Sequence, residues 1–286
     1  MNGIVIVDKP AGWTSQDVTA RLRRVFSTRR IGHGGTLDPM ATGVLPVFVG
    51  RATRGVEFFE HAEKTYETVL RLGLTTDTED ITGEKLEERA VSFTSERLEE
   101  VLEAFRGDIL QVPPMYSALK VNGQKLYDLA RQGKEVERKS RTITIFKLEC
   151  LDFSGTTARI LVHCSKGTYI RTLCKDIGQA LGCGGCMAAL RRVQAGEYTL
   201  SQAVSLQTLV ESESPEQYLA PVDSLFAGYN KVILTANQEK RCRNGNAFSV
   251  NLPEGTYRAY SQSGEFLMLA KVEAGVMATI KSFFEV

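Results

Sequence analysis

The segment from Arg30 to Leu45 constrains this chain more than any other, because it places four glycines, one imidazole and one carboxylate within sixteen residues. Glycine permits a positive φ and the close approach of two backbones. Pro39 fixes φ directly after Asp38. A simple surface turn rarely needs so many constrained positions. The pattern therefore predicts a loop that holds Asp38 rigidly beside a bulky ligand.

The length and composition of the chain indicate an ordinary globular protein. Its 286 residues, 43% of them apolar, suffice for one large domain or for a catalytic domain with a small appendage. No run reaches the roughly eighteen apolar residues that a membrane-spanning helix needs. The N-terminus lacks a signal-peptide pattern, and its residues 4–7 instead predict a buried strand. We therefore expect a cytoplasmic protein that does not enter a membrane.

Hydrophobic spacing predicts helices and strands that do not alternate strictly. Thr14 or Ser15 is expected to cap a helix. The apolar stripe of that helix is Val18, Leu22, Val25 and Phe26. Residues 66–72 alternate like a half-buried strand, and residues 75–83 indicate a solvated hairpin loop. Strands mixed with separate helices favour the α+β class.

The composition changes towards the C-terminus. Residues 211–230 are rich in Glu, Ser, Pro and Ala, as linkers often are. Short alternating runs separated by glycine-containing turns follow, which predicts a small β-rich domain. The predicted organisation is a catalytic domain at 1–212, a linker at 213–230 and the small domain at 231–286.

Basic residues are clustered, although the net charge is only +1. Residues 21–30 carry five arginines and no acid, whereas residues 77–103 carry ten acids and three bases. Residues 117–142 and 166–192 are also predominantly basic. Such a separation is typical of a polyanion-binding face with a solvated back, although each segment alone fits an ordinary charged surface.

Several classes of chemistry lack their sequence signatures. Six cysteines in a chain of this length do not make a disulfide framework. Cys183 and Cys186 have the spacing of a zinc or redox pair, but no second pair exists and only three histidines occur. We interpret them as small residues closing a helix and expect no metal. No serine-hydrolase elbow, P-loop or dinucleotide-binding motif is present.

Asp38 is the leading catalytic candidate, but no second carboxylate lies beside it in sequence, so a glycosidase-like acid–base pair is not evident. His33 is the one histidine whose glycine-rich setting suggests ligand contact. The segment from His163 to Arg171 joins an apolar strand to a helix and can project Tyr169 and Arg171 from a rigid frame. An arginine beside a buried aspartate would keep that carboxylate ionised and oriented. A surface arginine on a helix is the alternative for Arg171.

Five sequence blocks, in order, are specific to one family. The first is residues 8–12 with Ser15, the second is 32–39 with 43–46, and the third is 64–66 with 71–73 and 77–78. The fourth is 114–120 with 126–133, and the fifth is 164–171. Through these blocks the chain resembles the bacterial tRNA pseudouridine-55 synthases, the TruB family. Gly34 departs from the pattern, because many members have threonine there.

The resemblance implies an α+β pseudouridine synthase fold, with a mixed or antiparallel central sheet flanked by helices and a PUA-like C-terminal domain. It also implies that uridine 55 in the T loop of tRNA is isomerised without cofactor or metal. Asp38 is then the catalytic carboxylate, Tyr66 stacks on the target base and acts at its carbon, and Arg171 pairs with Asp38. The residues implied to line the nucleotide pocket are His33, Tyr169 and Leu190.

The resemblance further implies an RNA-gripping insertion at about 114–142. The basic residues expected to contact the RNA backbone are Lys9, Lys120, Arg131, Arg141, Lys166, Arg191 and Arg192. We expect a monomer. Whether the carboxylate attacks the base, attacks C1′ or removes a sugar proton stays open. Two other functions are a tRNA-folding chaperone without chemistry and a nucleoside hydrolase, for which the sequence offers no water-positioning histidine or metal cluster.

Overall fold

The structure is a computed structural model that describes residues 1–121 and 123–285. Asn122, in the predicted insertion, and Val286, at the end of the predicted small domain, lie outside the described residues. The elements before the insertion ends are β1 (Gly3–Lys9), α1 (Ser15–Val25), β2 (Ile31–His33), β3 (Thr42–Val49), α2 (Val56–Phe59), β4 (Lys64–Leu72), β5 (Leu74–Thr76), β6 (Lys85–Glu88), α3 (Ser95–Glu103), β7 (Gly107–Gln111), β8 (Lys120–Val121), β9 (Gln124–Lys125) and α4 (Leu126–Arg131).

The remaining elements include the longest strand of the chain and the strands of the C-terminal part. They are β10 (Arg141–Phe153), β11 (Thr157–Cys164), α5 (Ile170–Ala180), β12 (Gly185–Ala195), β13 (Tyr198–Thr199), β14 (Val204–Ser205), α6 (Leu206–Glu211), β15 (Asn230–Ile233), α7 (Ala236–Arg243), β16 (Phe248–Ser249), β17 (Gly255–Tyr260), β18 (Phe266–Glu273) and β19 (Val276–Ser282). Short 3-10 helices occupy Gly50–Gly55, Leu200–Gln202, Pro215–Tyr218 and Val222–Phe226. No helix among the described residues is both long and apolar enough to cross a membrane.

The chain divides into two compact units. The first comprises Met1–Asp38, Leu45–Glu60 and Ser201–Val286, and the second comprises Pro39–Val44 and His61–Leu200. The predicted linker at 213–230 contains two of the 3-10 helices, and its Val222 and Phe226 are buried. The boundaries given above for the catalytic domain, linker and small domain stay predictions.

In the first unit, β1 lies between β14 and β3, and β2 pairs with β3. The predicted N-terminal helix is confirmed as α1. Thr14 is its N-cap, because its hydroxyl accepts from the backbone N–H of Asp17 while the Asp17 carboxylate accepts from the backbone of Thr14. Val18 and Leu22 of the predicted stripe are completely buried. The first turn of α1 is thereby fixed on the core of this unit.

The C-terminal part of the first unit is β-rich, as predicted. Its five strands are ordered β15-β17-β18-β19-β16 around a core that includes Leu267, Met268 and Val272. Helix α7 was not predicted. Its sequence signal is a capping box, in which Thr235 and Gln238 satisfy each other's backbone N–H groups.

The second unit contains a mixed sheet, which confirms the predicted α+β class. Its strands are ordered β12-β4-β11-β10-β7 with antiparallel neighbours, while Thr42 and Gly43 of β3 pair in parallel with β12. Strand β4 alternates between buried and half-buried residues, as expected. Helix α5 packs on β12 and β4, and Gly178 and Gly185 permit that approach, because a Cβ on Gly178 would lie 2.3 Å from the backbone N of Gly185.

The hairpin of β5 and β6 corrects one prediction. The turn is present, but its loop is only partly solvated, because Glu79 is 8% and Asp80 6% exposed whereas Asp77, Ile81 and Thr82 are exposed. Buried carboxylates need hydrogen-bond donors, and the sequence does not show that these come from residues far along the chain.

Candidate active site

In the first unit, the loop that carries Asp38 is held by the start of α1. The Ser15 hydroxyl accepts from the backbone N–H of Leu37 at 2.9 Å and donates to the Leu37 carbonyl at 3.2 Å. Ser15 and Leu37 are 1% and 3% exposed, whereas Asp38 itself is half-buried. One buried hydroxyl thus fixes the residue directly before Asp38, which agrees with the rigid loop predicted from the sequence.

The same first turn of α1 contacts His33. The Nε2 atoms of Gln16 and His33 are 3.3 Å apart. Gly34 lies in the chain between His33 and Leu37, and its N–H donates to the Pro46 carbonyl at 2.8 Å. His33 and Asp38 therefore belong to a single loop tied to both α1 and β3.

Gly34 is closely surrounded. A Cβ built on it would lie 2.5 Å from the Phe59 ring and 3.1 Å from the Phe48 ring. The two rings pack edge to face, with centroids 5.9 Å apart. In this chain the Phe59 ring fills the space that a side chain at position 34 would need.

In the second unit, Tyr66 lies on the face of β4 that packs against α5. It is 9% exposed. Two residues further along the same face, the Thr68 hydroxyl is 3.8 Å from the Cys174 thiol of α5. Leu190 of β12, predicted to line the pocket, is the register partner of Thr68. Tyr66 and Leu190 therefore lie in neighbouring strands, both of which pack against α5.

Arg171 is 6% exposed, so the surface alternative for this residue is wrong. Its guanidinium donates to the Thr78 carbonyl at 3.3 Å and to the Tyr116 carbonyl at 2.8 Å. Its Nε lies 4.0 Å from Asp80 Oδ2. These contacts orient the guanidinium at the first turn of α5, one turn before Cys174. Its pairing with Asp38 remains a prediction.

Two buried carboxylates in the loop of the β5–β6 hairpin support this arginine. Asp80 Oδ1 accepts from the hydroxyl of Thr78 at 3.0 Å and from the backbone N–H of Thr82 at 2.9 Å. Glu79 accepts from the Thr172 hydroxyl and the Lys175 ammonium, both at 2.6 Å. Two consecutive carboxylates thus connect the hairpin loop to the first turns of α5.

Tyr169 is the N-cap residue of α5 and is half-buried. The side-chain amide of Gln111 donates to the Tyr169 carbonyl at 3.1 Å and accepts from its N–H at 2.8 Å. The Arg141 guanidinium carbon lies 4.8 Å from the centre of the Tyr169 ring. Gln111 and Arg141 are the register partners at the end of β7 and the start of β10.

The predicted RNA-backbone residues fall into two groups. Lys120, Arg131 and Lys166 are exposed, and Arg141 and Arg191 are half-buried. Lys9 is completely buried, and its ammonium donates to the Pro10 and Trp13 carbonyls at 2.9 and 2.6 Å. Arg192 is 1% exposed, and its Nε donates to the Val44 carbonyl at 2.7 Å. For these two buried residues the structure argues against the prediction, because reaching a phosphate would require breaking internal contacts.

Sequence reasoning missed Asp80, Glu79 and Gln111. The sequence predicts the acidic hairpin only as a solvated loop. Gln111 carries no local signal, because its two partners lie on Tyr169. The one local clue is that β7 ends at Gln111, two residues before Pro113.

The thiols are mostly shielded. Cys150 is half-buried and the other five free cysteines are buried. Burial raises the pKa of Cys174 to about 12 and that of Cys186 to about 11. Within residues 1–121 and 123–285, no group of three or more His, Cys, Asp or Glu side chains is arranged to hold a metal ion.

Comparison with solved structures places this fold among known ones. A Cbf5-Nop10-Gar1 complex matches with a TM-score of 0.74 and 25% identity, over 99% of this chain and 85% of that one. An H/ACA RNP bound to a substrate RNA containing 2'-deoxyuridine matches in fold, with a TM-score of 0.73 and 23% identity over 99% and 85% of the two chains. The predicted α+β fold is thereby confirmed.

Sequence comparisons are more specific. The N-terminal domain profile of the TruB family pseudouridylate synthases matches residues 23–170, and the tRNA pseudouridylate synthase B C-terminal domain profile matches residues 171–227. The tRNA pseudouridine synthase B of Stutzerimonas stutzeri (strain A1501) is 46% identical over 282 residues, covering 95% of this chain and 92% of that protein. That of Dechloromonas aromatica (strain RCB) is 49% identical over 258 residues, covering 89% and 85%.

Fold and sequence together define a pseudouridine synthase, an isomerase that converts uridine to pseudouridine. The chain belongs to the TruB family of pseudouridylate synthases.

Proposed function

We propose that this enzyme isomerises uridine 55 in the T arm of tRNA and that Asp38 is its catalytic carboxylate. The relatives named above are tRNA pseudouridine synthases B, which supports tRNA as the substrate. The observation that carries the assignment of Asp38 is the Ser15 hydroxyl. It binds both the N–H and the carbonyl of Leu37, the residue directly before Asp38. A loop fixed so close to a half-buried carboxylate suits a group that must meet a substrate in one geometry.

The reaction needs few participants. The bond between C1′ and N1 breaks, the uracil turns, and C1′ bonds to C5, while C5 loses a hydrogen and N1 gains one. A single ionised carboxylate can act as nucleophile or base in such a sequence. We assign Arg171 to orient that carboxylate, because a buried guanidinium fixed by two carbonyls at 3.3 and 2.8 Å is already immobilised.

The proposed base pocket keeps water out. Tyr66 is 9% exposed, and its ring offers a face on which uracil can stack. Leu190 and Tyr169 add an apolar wall and a second ring, and His33 contacts the nucleotide from the Asp38 loop. Excluding water protects the cleaved intermediate from hydrolysis, which would otherwise release uracil as a nucleoside hydrolase does.

The RNA contacts that we propose come from exposed basic residues. Lys120 and Arg131 lie in the insertion and Lys166 lies in the turn before α5, and all three are exposed. A T-loop uridine is folded into the tRNA, so extruding it costs a few kcal/mol. Contacts with phosphates offset that cost and make binding dependent on salt.

The test is pseudouridine formation in an unmodified tRNA transcript, mapped by chemical adduct and primer extension. A single stop at uridine 55 that disappears with Asp38→Asn is expected, while tRNA binding stays within about tenfold. Asp152→Asn, at an exposed carboxylate on β10, is the matched control and should keep full activity. Turnover by the Asp38 variant would refute its assignment.

Other outcomes distinguish the alternatives. Binding and annealing of tRNA without any stop would favour the folding chaperone, and free uracil would favour the hydrolase. We also propose a monomer acting in the cytoplasm. Sedimentation of the protein with and without tRNA tests the monomer, because a dimer would carry two tRNA molecules.

A further inference from the structure

We propose that Gln111 and Arg141 are positioning residues that clamp Tyr169 and link the proposed RNA-gripping insertion to the base pocket. The proposal rests on the pocket role of Tyr169 given above. Gln111 holds the backbone of that residue and Arg141 holds its ring. Neither is assigned to touch the reacting atoms.

The side chain of Gln111 binds both backbone polar groups of one residue. Gln111 is 1% exposed, and its amide pairs with both the N–H and the carbonyl of Tyr169. The same Tyr169 carbonyl also accepts from the N–H of Leu173 at 3.0 Å, the first bond of α5. A buried amide whose partners were removed would lose its solvation without compensation. Gln111 therefore fixes where α5 begins, two residues before Arg171.

Arg141 holds the other side of Tyr169. Its guanidinium lies over the ring at 4.8 Å, a distance typical of a cation–π contact. It also donates to the carbonyl of Gly167. Gly167 has a φ of +78°, a left-handed conformation that favours glycine in this turn. The turn before α5 and the Tyr169 ring thus share one guanidinium.

The two clamp residues are also the two ends of the insertion. Gln111 is the last residue of β7, Arg141 is the first residue of β10, and they are direct register partners. The chain leaves the sheet after the first and returns at the second. A third contact comes from inside the insertion, where the Tyr116 carbonyl accepts from Arg171. A shift of the insertion roots would therefore act on Tyr169 and on the start of α5.

This assignment differs from the prediction that Arg141 contacts the RNA backbone. A phosphate contact would contribute to affinity and to its salt dependence. A positioning contact acts through Tyr169, so it would change turnover at saturating tRNA and disappear when the Tyr169 ring is absent.

The first experiment measures the clamp without substrate. Hydrogen exchange of the free enzyme is followed in peptides covering 166–173, with Gln111→Leu compared to Gln132→Leu. Gln132 is exposed in the insertion and serves as the control. We expect exchange at Tyr169 and the following amides to rise about tenfold or more in the first variant only. Unchanged exchange in folded Gln111→Leu would overturn the backbone part of the proposal.

The second experiment is a double-mutant cycle on pseudouridine formation, using Arg141→Ala, Tyr169→Ala and both together. Arg141→Ala is expected to lower kcat about tenfold with KM changed less than about twofold, and to add nothing in the Tyr169→Ala background. Arg141→Lys should fail to restore kcat, because an ammonium has no planar face. A rise in KM with a changed salt slope, fully additive with Tyr169→Ala, would instead make Arg141 an RNA contact.

The two experiments separate this inference from the proposed function. If Tyr169→Ala leaves turnover unchanged, the pocket role of Tyr169 fails, and with it the functional part of the clamp. The exchange measurement would still report whether Gln111 fixes the start of α5. If exchange rises and kcat falls as expected, both hold.

Discussion

The hydroxyl of Thr172 donates to the carboxylate of Glu79 at 2.6 Å and joins the β5–β6 hairpin to the first turn of α5. Glu79 has a φ of 64°, a left-handed conformation that is uncommon for glutamate. The residues on either side, Thr78 and Asp80, face Arg171. The hairpin loop is therefore held in a strained form while it supports the arginine.

Removing the Thr172 hydroxyl should destabilise the enzyme. Thr172→Val keeps the shape but takes one donor from a buried carboxylate, which costs about 1–3 kcal/mol. Urea unfolding measures the loss. Thr142→Val, at an exposed threonine on β10, should change the unfolding free energy by less than about 0.5 kcal/mol. Equal effects of the two variants would show that the Glu79 contact contributes nothing specific.

Gly34→Thr should also be destabilising. A Cβ at position 34 would lie 2.5 Å from the Phe59 ring, and such overpacking costs about 1–3 kcal/mol. Combining it with Phe59→Leu should recover part of this loss, because the smaller side chain leaves space. Thermal unfolding of the single and double variants measures the coupling, and additive losses would contradict the steric explanation.

Reactivity of the cysteines should follow their burial. Cys174 has a pKa of about 12 and Cys164 a pKa of about 11, so almost none of either is thiolate at pH 8. Burial also raises the pKa of the half-buried Cys150, by less. Iodoacetamide labelling of the native enzyme, read by mass spectrometry, should modify Cys150 first. Its rate should rise about tenfold per pH unit below its pKa. Faster labelling of Cys183 or Cys186 would contradict this order.

The arginine face of α1 should contribute to RNA binding. Trp13, Arg21 and Arg24 border a cleft of about 510 Å³, and no ion pair joins either arginine to another residue that the structure describes. Arg21→Glu with Arg24→Glu should weaken tRNA binding and reduce the salt slope by roughly one unit per lost contact. Lys85→Glu with Arg97→Glu, on the acidic segment, is the matched control. Equal weakening by both pairs would assign the effect to net charge alone.

Local patterns in the sequence predicted the elements that depend on them. Thr14, Val18 and Leu22 define α1 through a cap and a helical stripe, and the alternation of β4 follows from period-two burial. The Asp38 loop was located by its glycines. Family resemblance then added roles for Tyr66 and Arg171, which spacing alone could not give.

Contacts between residues far apart in the chain could not be predicted from the sequence. Glu79 looked solvated because its donors, Thr172 and Lys175, lie more than ninety residues away. The sequence predicts Lys9 as a phosphate contact, yet the residue is completely buried and its ammonium donates to carbonyls of its own loop. A charged residue in a sequence predicts an exposed side chain only when the fold supplies no partner for it, whether local or distant.

The register pair of Gln111 and Arg141 has a consequence for how this enzyme can be altered. Antiparallel neighbours lie about 5 Å apart, so residues 112–140 leave and rejoin the sheet at one place. Loops with closely spaced ends tolerate changes in length at small entropic cost. The proposed RNA-gripping segment is therefore an exchangeable module, and grafts that retain the two root residues and the contact of the Tyr116 carbonyl with Arg171 are expected to redirect the enzyme to other RNA shapes while its chemistry stays in place.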